Sequence, residues 1–344
     1  MPLSGSSVLI VVQTKIMQKI YVGIDISKDW LDVAVCDQKG HFLNEGSRFD
    51  NSKRGIEKAL RLVNSYSKES HICFENTGNY GLLLTFLIEH NHMCYSVIPP
   101  IEIKRSIGLT RGKSDVIDAH RIALYAATHH QKLQLSRLNS MLLLKIRHML
   151  RYRNQLVDIS KKLKCSLKSF QVSLLTVDVS NIVDSITHKL AEMKADIKQA
   201  EKEIEELIES DRQLAKNHHL AKSVRGIGPV ISAYMLVYTN NYQAFDNPRK
   251  FNCYAGLAPF ESSSGSSIRG RTSTSHLRHK KIKALLFNAA NSATLYDKQL
   301  KSYYKRKTAE GKHRMLILNA IAAKIVYRVF AVIKRQSPYI EFAQ

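Results

Sequence analysis

A short apolar segment near the N-terminus, residues 21–28, carries one acidic residue, Asp25, among β-branched and aliphatic neighbours. Such a composition predicts a buried central strand, where an unpaired carboxylate is costly. The strand therefore requires a partner for Asp25, either a cation or further acids that share a metal ion. No other feature of the sequence constrains the fold as strongly.

Three more acidic residues are candidates to meet Asp25. Glu75 ends an apolar run, and Asp115 and Asp118 open a segment with a helical pattern. Residues three apart on a helix share a face, so the last two can point in one direction. Four oxygen ligands from two strands and a helix are typical of a divalent-metal site, and Mg²⁺ is the ion that fits best.

A metal cluster of this kind would activate an attacking oxygen and stabilise the leaving one, so the four acids predict cleavage of nucleic-acid phosphodiesters. A competing interpretation pairs the acids with nearby basic residues and gives them a structural role only. These basic residues are Lys28, Arg111 and Lys113.

The first part of the chain alternates between strand and helix patterns. The order is three strands, helix, strand, helix, strand and helix, which is typical of an α/β, ribonuclease-H-like fold. In that fold the first strand and the strand after the first helix each supply a metal carboxylate. Predicted strands cover residues 20–26, 31–36, 41–49, 71–75 and 93–98, and predicted helices cover residues 55–66, 81–89, 101–107 and 115–128.

The pattern becomes helical from about residue 140. Residues 140–170 predict a basic helix, and residues 181–215 repeat apolar positions at close to heptad spacing. This indicates an antiparallel coiled-coil arm, with a simple helical linker as the alternative. An apolar helix over residues 311–334 should lie in the core of a mostly helical C-terminal part. The predicted domains are a loose extension 1–16, a nuclease domain 17–135, an arm 136–220 and a C-terminal domain 221–344.

Two segments of the C-terminal part carry further candidate residues. Gly226 and Gly228 form a turn that can aim backbone N–H groups at a phosphate, although a plain interhelical turn explains them equally well. The serine run at residues 262–267 has the composition of a flexible linker. A nucleophilic serine would need cations to hold its phosphate. Candidates are Arg269, Arg271 and Arg278, with Lys280 and Lys281 in the basic helix that follows.

Charge and cysteine content limit the class of partner. The chain has 52 Lys and Arg against 29 Asp and Glu, a formal net charge of +23, which favours nucleic acid over an anionic membrane surface. The five cysteines are odd in number and lack C-x-x-C spacing, which indicates a reducing cytosol. The N-terminal and C-terminal apolar runs are too short to span a bilayer. We therefore expect a soluble, cytoplasmic, nucleoid-associated protein without a membrane partner.

In order and spacing, these motifs resemble the DEDD-type transposases of the insertion sequence 110 family, over nearly all of the chain after Met17. The matching segments are residues 23–28 (GIDISK), 74–78 (FENTG), 113–119 (KSDVIDA), 226–228 (GIG), 254–259 (YAGLAP) and 264–265 (SG). The resemblance implies a RuvC-like N-terminal nuclease domain, a coiled-coil arm and a C-terminal transposase domain of the IS116/IS110/IS902 type.

The resemblance also implies roles for single residues and partners. Asp25, Glu75, Asp115 and Asp118 would bind Mg²⁺. Ser264 would attack a DNA phosphate and form a transient protein–DNA link, with Ser263 as the alternative nucleophile. Members of the family excise and insert their own element, and some are guided by a structured RNA. Expected partners are therefore DNA, a guide RNA, and further copies of the chain in a dimer or tetramer.

Two rival functions remain open from the sequence. A metal-dependent nuclease of the junction-resolvase kind would hydrolyse DNA with water and leave no covalent adduct. A catalytically inactive remnant would bind nucleic acid without cutting it, but all four acids are present, which argues against this rival.

Overall fold

The computed structural model describes residues 19–107, 115–264, 268–274 and 277–341, with the side chains of residues 107, 115 and 261–273 outside the described part. The predicted N-terminal extension, residues 1–16, therefore also lies outside it. The chain divides into two compact units, Met1–Leu138 and Asn139–Gln344. The finer domain boundaries indicated by the sequence stay a prediction.

The first unit is built on a five-stranded sheet with strand order β3-β2-β1-β4-β5. Its strands are β1 (Ile20–Ile26), β2 (Trp30–Asp37), β3 (Ser47–Asp50), β4 (Ser70–Glu75) and β5 (Cys94–Ile98). Its helices are α1 (Lys53–Tyr66), α2 (Leu82–His90), α3 (Pro100–Ile107) and α4 (Asp115–Thr128). The first three strands are antiparallel neighbours, whereas β4 runs parallel to both β1 and β5. This arrangement is the ribonuclease-H-like fold, and the sequence prediction of it is confirmed.

Helices cover both faces of this sheet, which explains why its central strands are apolar on both sides. Val22 and Ile24 of β1 belong to the core that includes residues of α1 and α2. Tyr21, on the other face, belongs to the core that includes residues of α3 and α4. The alternation of β1 side chains thus separates two cores, and Asp25 falls on the α4 side.

The third strand is shorter than the pattern predicts. The apolar and polar alternation suggested residues 41–49, but β3 spans only Ser47–Asp50. Beside β2, the side-chain amide of Asn44 takes the place of backbone groups from a neighbouring strand. Its Oδ1 accepts from the Val35 N–H at 2.7 Å, and its Nδ2 donates to the Val33 carbonyl at 3.1 Å. A side chain therefore satisfies backbone groups that a longer strand would have paired.

The second unit is mostly helical. It contains α5 (Met141–Ser173), α6 (Ser180–Glu209), α7 (Arg212–Lys222), α8 (Pro229–Tyr238), α9 (Pro248–Ala255), the hairpin strands β6 (Phe260–Ser264) and β7 (Ile268–Ser273), α10 (Lys280–Tyr296), α11 (Lys298–Ala309) and α12 (Arg314–Arg335). Within the described residues, α12 alone is long and apolar enough to cross a membrane by length and composition, which corrects the expectation that the C-terminal apolar run is too short to do so. Ile321, Ile325 and Val329 of α12 are fully buried in the core of this unit.

The two longest helices, α5 and α6, pack against each other. Leu150 of α5 and Ile204 of α6 are buried, and Arg153 donates from Nε to Glu201 at 2.8 Å across the pair. The helix predicted over residues 181–215 is interrupted, because α6 ends at Glu209 and Asp211 caps α7 by accepting from two backbone N–H groups. The predicted coiled-coil supercoil stays a prediction.

Candidate active site

Asp25 and Glu75 occupy adjacent positions at the carboxyl ends of two parallel strands. β1 pairs with β4 in the register Ile24↔Phe74, so the next residue on each strand is one of the two acids. Neighbouring strands lie about 4.8 Å apart, and residues at matching positions project from the same face. Both acids are half-buried, and each interacts with another residue. The structure therefore brings together two of the four predicted metal ligands.

Gly23 determines how closely α4 approaches this pair. A Cβ atom on Gly23 would lie 2.2 Å from the Ala119 carbonyl oxygen, so only glycine lets the helix backbone rest on β1. Near the other end of α4, the ring of His130 lies 5.9 Å from the ring of Tyr21. The helix thus runs antiparallel to β1. Its first turn lies over the carboxyl end of the strand, the end that carries Asp25.

The remaining two acids lie in this first turn. Asp118 precedes the buried Ile122 by one turn and so continues the helix stripe that faces the sheet. Arg121 donates from Nη1 to Asp118 Oδ1 at 2.9 Å, an ion pair that sequence reasoning missed although the i,i+3 spacing was visible. Asp115 begins α4, and its side chain lies outside the described part. Among the described residues, no group of three or more His, Cys, Asp or Glu side chains is placed to hold a metal ion.

The serine run is partly a strand. Its composition predicts a flexible linker, but this is wrong for residues 262–264, which pair with β7. The register sets Ser263 opposite Arg269 and Ser264 opposite Ile268. Composition does not indicate this strand, because its backbone hydrogen bonds depend on pairing with β7, a contact between two segments of the chain. The side chains of Ser264, Arg269 and Arg271 lie outside the described part, so their roles stay predictions.

The two glycines of the predicted phosphate-binding turn have different surroundings. Gly226 has φ +94°, and a Cβ atom there would lie 2.5 Å from the Ala289 carbonyl oxygen of α10. Close packing therefore accounts for Gly226. Gly228 is the N-cap residue of α8, and nothing in the described part lies within 4 Å of where its Cβ would be. Only Gly228 leaves open space at a helix N-terminus, and phosphate binding at either glycine stays a prediction.

The basic residues before and within α10 are in varied environments. Arg278 precedes the helix, and its side chain packs over Gly256, which has no side chain of its own. Lys280 is exposed, whereas burial lowers the pKa of the half-buried Lys281. His279 caps α10, because its Nδ1 accepts from the Ile282 N–H at 3.2 Å. Sequence reasoning missed this cap, which sets where the basic helix begins.

Comparisons with known proteins agree with these features. A DEDD-type IS110 transposase model matches residues 22–175, and a model described as "Transposase IS116/IS110/IS902 family" matches residues 218–305. The pilin gene-inverting protein of Moraxella bovis is 26% identical over 94% of this chain and 98% of its own length. An uncharacterised 43.6 kDa protein of insertion element IS110 from Streptomyces coelicolor is 27% identical over 46% of this chain and 38% of its own length.

One solved structure aligns with part of the chain at low similarity. RuvC from Thermus thermophilus, in complex with a Holliday junction substrate, aligns with 14% sequence identity and a TM-score of 0.28. The alignment covers 35% of this chain and 99% of that chain. The two transposase models are independent of it and between them match residues in both compact units. The chain belongs to the insertion sequence 110 family of DEDD-type transposases.

Proposed function

We propose that this transposase cuts and rejoins DNA with Mg²⁺ held by the four acids and with Ser264 as the nucleophile. The observation that carries the proposal is the side-by-side position of Asp25 and Glu75, beneath the first turn of α4. Two half-buried carboxylates at adjacent positions repel each other, and a bound cation relieves that repulsion. Asp115 and Asp118 belong to the same first turn and complete the proposed set.

The donor chemistry of the proposed set fits Mg²⁺, because carboxylate oxygens are the ligands this hard cation prefers. Bound there, Mg²⁺ would supply charge neutralisation and polarise an attacking oxygen. Asp118 would also be oriented by its ion pair with Arg121, which fixes the carboxylate before any ion arrives. The chain's own cations would hold the DNA phosphates. These are Arg269, Arg271, Arg278, Lys280 and Lys281, with backbone N–H groups near Gly226 and Gly228.

The proposed chemistry consists of two phosphoryl exchanges. Ser264 Oγ loses its proton and forms a bond to a DNA phosphorus, one P–O bond of the DNA breaks, and the released deoxyribose oxygen takes up a proton and leaves as a hydroxyl. In the second step a deoxyribose hydroxyl attacks the phosphoserine and regenerates the serine. Each step replaces one phosphate ester by another, so strand exchange needs no external energy source. Hydrolysis by water would instead end in a broken strand.

Detection of a covalent protein–DNA adduct tests this proposal. Wild-type protein would be incubated with Mg²⁺ and labelled duplexes that contain DNA from both flanks of the gene. We expect labelled DNA to migrate with denatured protein, and peptide mapping to place the link on Ser264. Ser264→Ala should abolish the adduct, whereas the matched control Ser263→Ala should retain it. Cleavage without any adduct would contradict the serine mechanism and favour a resolvase that uses water.

A second candidate outcome is inversion of a DNA segment rather than movement of an element. It is favoured by the pilin gene-inverting relative, which matches over 94% of this chain. The cutting and joining steps are the same, and only the orientation of the two sites differs. We further propose that the chain acts as a dimer or tetramer in the cytoplasm, with a guide RNA as a candidate partner. A plasmid with two flanking sequences in inverted orientation would distinguish inversion from excision by the new junctions formed.

A further inference from the structure

A cleft between α11 and α12 in the second unit has no role in the chemistry proposed above. Its volume is about 820 Å³, within the range of about 300 to 1,000 Å³ usual for ligand pockets. Part of it is formed by Arg306 and by residues of α12, all of which lie beyond residue 305, where the second transposase model ends. The residues that matter here are Tyr303, Arg306, Lys324, Tyr327 and Arg328.

The segment that forms this cleft concentrates the positive charge of the chain. Residues 298–335 contain eleven Lys and Arg and a single acid, Glu310. Their net charge of +10 is almost half of the +23 of the whole chain, in about one ninth of its length. A cleft lined by charges of one sign attracts counter-ions more strongly than a flat surface does. The ligand expected here is therefore anionic.

Two of the cations share one aromatic ring. Lys324 Nζ lies 4.9 Å from the ring centroid of Tyr303, and the Arg306 guanidinium lies 5.7 Å from the same centroid. Each contact holds its cation in place, but neither neutralises it. Two like charges held around one ring repel each other, and a phosphate between them would relieve that repulsion.

The acids near this ring are already engaged. Asp297 is fully buried and receives a hydrogen bond of 2.6 Å from Arg328 Nη1. Glu310 accepts from Lys307 Nζ at 2.7 Å and lies 3.9 Å from Arg306 Nε. Arg306 therefore has only a long contact with an acid in the described part. The arrangement leaves Arg306 and Lys324 as the cations available to an incoming anion.

An exposed aromatic ring adds a second kind of contact. Tyr327 lines the cleft and is 48% exposed, although it lies on a helix whose opposite side forms the core. Arg328, beside it in sequence, is fixed by Asp297, by Gln299 and by the ring of Tyr339 at 4.9 Å. An open aromatic ring in the same cleft as two available cations, Arg306 and Lys324, suits a ligand that is both planar and negatively charged. A nucleotide has both properties, because its base can stack and its phosphate is anionic.

We propose that the cleft binds an unpaired nucleotide of a single-stranded nucleic acid. The phosphate lies between Arg306 and Lys324, and the base stacks on Tyr327. The proposal rests on the proposed function only in requiring a nucleic-acid partner, and it does not depend on the acids or on Ser264. A paired base is stacked within its duplex, so the cleft should select single strands.

Binding by the full-length protein tests the proposal. The probes are fluorescein-labelled 12-nucleotide DNA, RNA of the same sequence, and the corresponding DNA duplex, measured by fluorescence anisotropy in EDTA so that no cleavage occurs. Tyr327→Ala should weaken single-strand binding about 5-fold or more, as expected for one lost stacking contact, and Tyr327→Phe should restore it. Equal binding by Tyr327→Ala and the wild type would overturn the proposal.

The charge arm of the test compares two double variants. Arg306→Gln with Lys324→Gln removes the two cleft cations, whereas Lys301→Gln with Lys305→Gln removes two exposed cations from the other side of α11. Losing the one phosphate that both cations hold should reduce the salt dependence, the slope of log K against log salt, by about 0.7 for a single strand. The control pair should change it by less than half as much. An equal change of the salt slope in both double variants would show only a general electrostatic attraction between protein and nucleic acid, and it would overturn the proposal.

The DNA and RNA probes decide whether the single strand bound in the cleft is DNA or RNA. Loss of binding by Tyr327→Ala for either strand supports the proposal with that strand as ligand, and loss for neither overturns it. Tighter binding of the duplex than of both single strands would also overturn it. A wild-type protein that shows no Mg²⁺-dependent cleavage, yet binds single strands in a way that depends on Tyr327, would contradict the proposed function and leave the cleft assignment standing.

Discussion

Gly23 shows how a single residue positions the proposed site. The sequence pattern indicates that Asp25 and Glu75 end two strands, because apolar runs with a terminal acid can be recognised locally. The closeness of α4 could not be predicted in the same way. It depends on a missing side chain at Gly23 and on Ala119 and Ala123 of a helix almost 100 residues later. Such close approach is a tertiary contact without a local signal.

The glycine pair at the start of α8 gives a prediction at the residue scale. Gly226→Ala should lower the free energy of unfolding by about 1 to 3 kcal/mol, because a Cβ there meets the backbone of Ala289 and the positive φ disfavours other residues. Gly228→Ala is the matched control. Its Cβ meets no described atom, so its effect should stay within about 0.5 kcal/mol. Urea denaturation measures both, and equal losses would contradict the packing role of Gly226.

The helices and strands agree best with the sequence prediction where a local apolar pattern continues over the whole element. The predicted limits of β1 and α4 agree with the structure residue for residue. Predictions fail where side chains or distant strands replace local patterns. Asn44 shortens β3, and Asp211 separates α6 from α7 through capping hydrogen bonds. The serine strand β6 exists only because β7 pairs with it.

A pH-sensitive contact joins α6 to α7 and gives a prediction at the element scale. His218 is fully buried, and its Nε2 lies 3.0 Å from Glu205 Oε2. Its Nδ1 has no hydrogen-bond partner among the described residues, so a second ring proton would find no acceptor. Burial accordingly lowers the pKa of His218 below its usual 6.5. The unfolded chain gains this proton at a higher pH than the folded chain does, so stability falls as the pH drops below about 6.5.

We therefore expect the free energy of unfolding to decrease between about pH 7.5 and pH 5.5. His218→Gln should reduce this decrease, because it removes the group that titrates, whereas His219→Gln, at an exposed neighbour, should not. The lowered pKa of Glu205 acts in the same direction, but below its usual 4.5 and so outside this window. Urea denaturation at several pH values measures the effect. An unchanged pH dependence in His218→Gln would contradict it.

At the scale of the whole molecule, composition predicted the partner better than it predicted the architecture. The excess of basic residues indicates nucleic acid, and the family assignment agrees with DNA as the substrate. The sequence places almost half of the net charge within residues 298–335, but it does not show that an aromatic cleft lies among these charges. The cleft depends on how α11 and α12 pack. Charge counts therefore identify the class of ligand, and only the fold identifies where it is held.

The most direct test of the account is Mg²⁺-dependent strand cleavage of duplexes that contain DNA from the flanks of the gene. Three variants decide it: Asp25→Asn, Glu75→Gln and the control Asp29→Asn, which changes an exposed acid in the turn after β1. Loss of a metal ligand removes several kcal/mol of transition-state stabilisation, so the first two should cut at least about 100-fold more slowly. The control should cut at the wild-type rate. Wild-type cleavage by Asp25→Asn would contradict a metal site at the ends of β1 and β4.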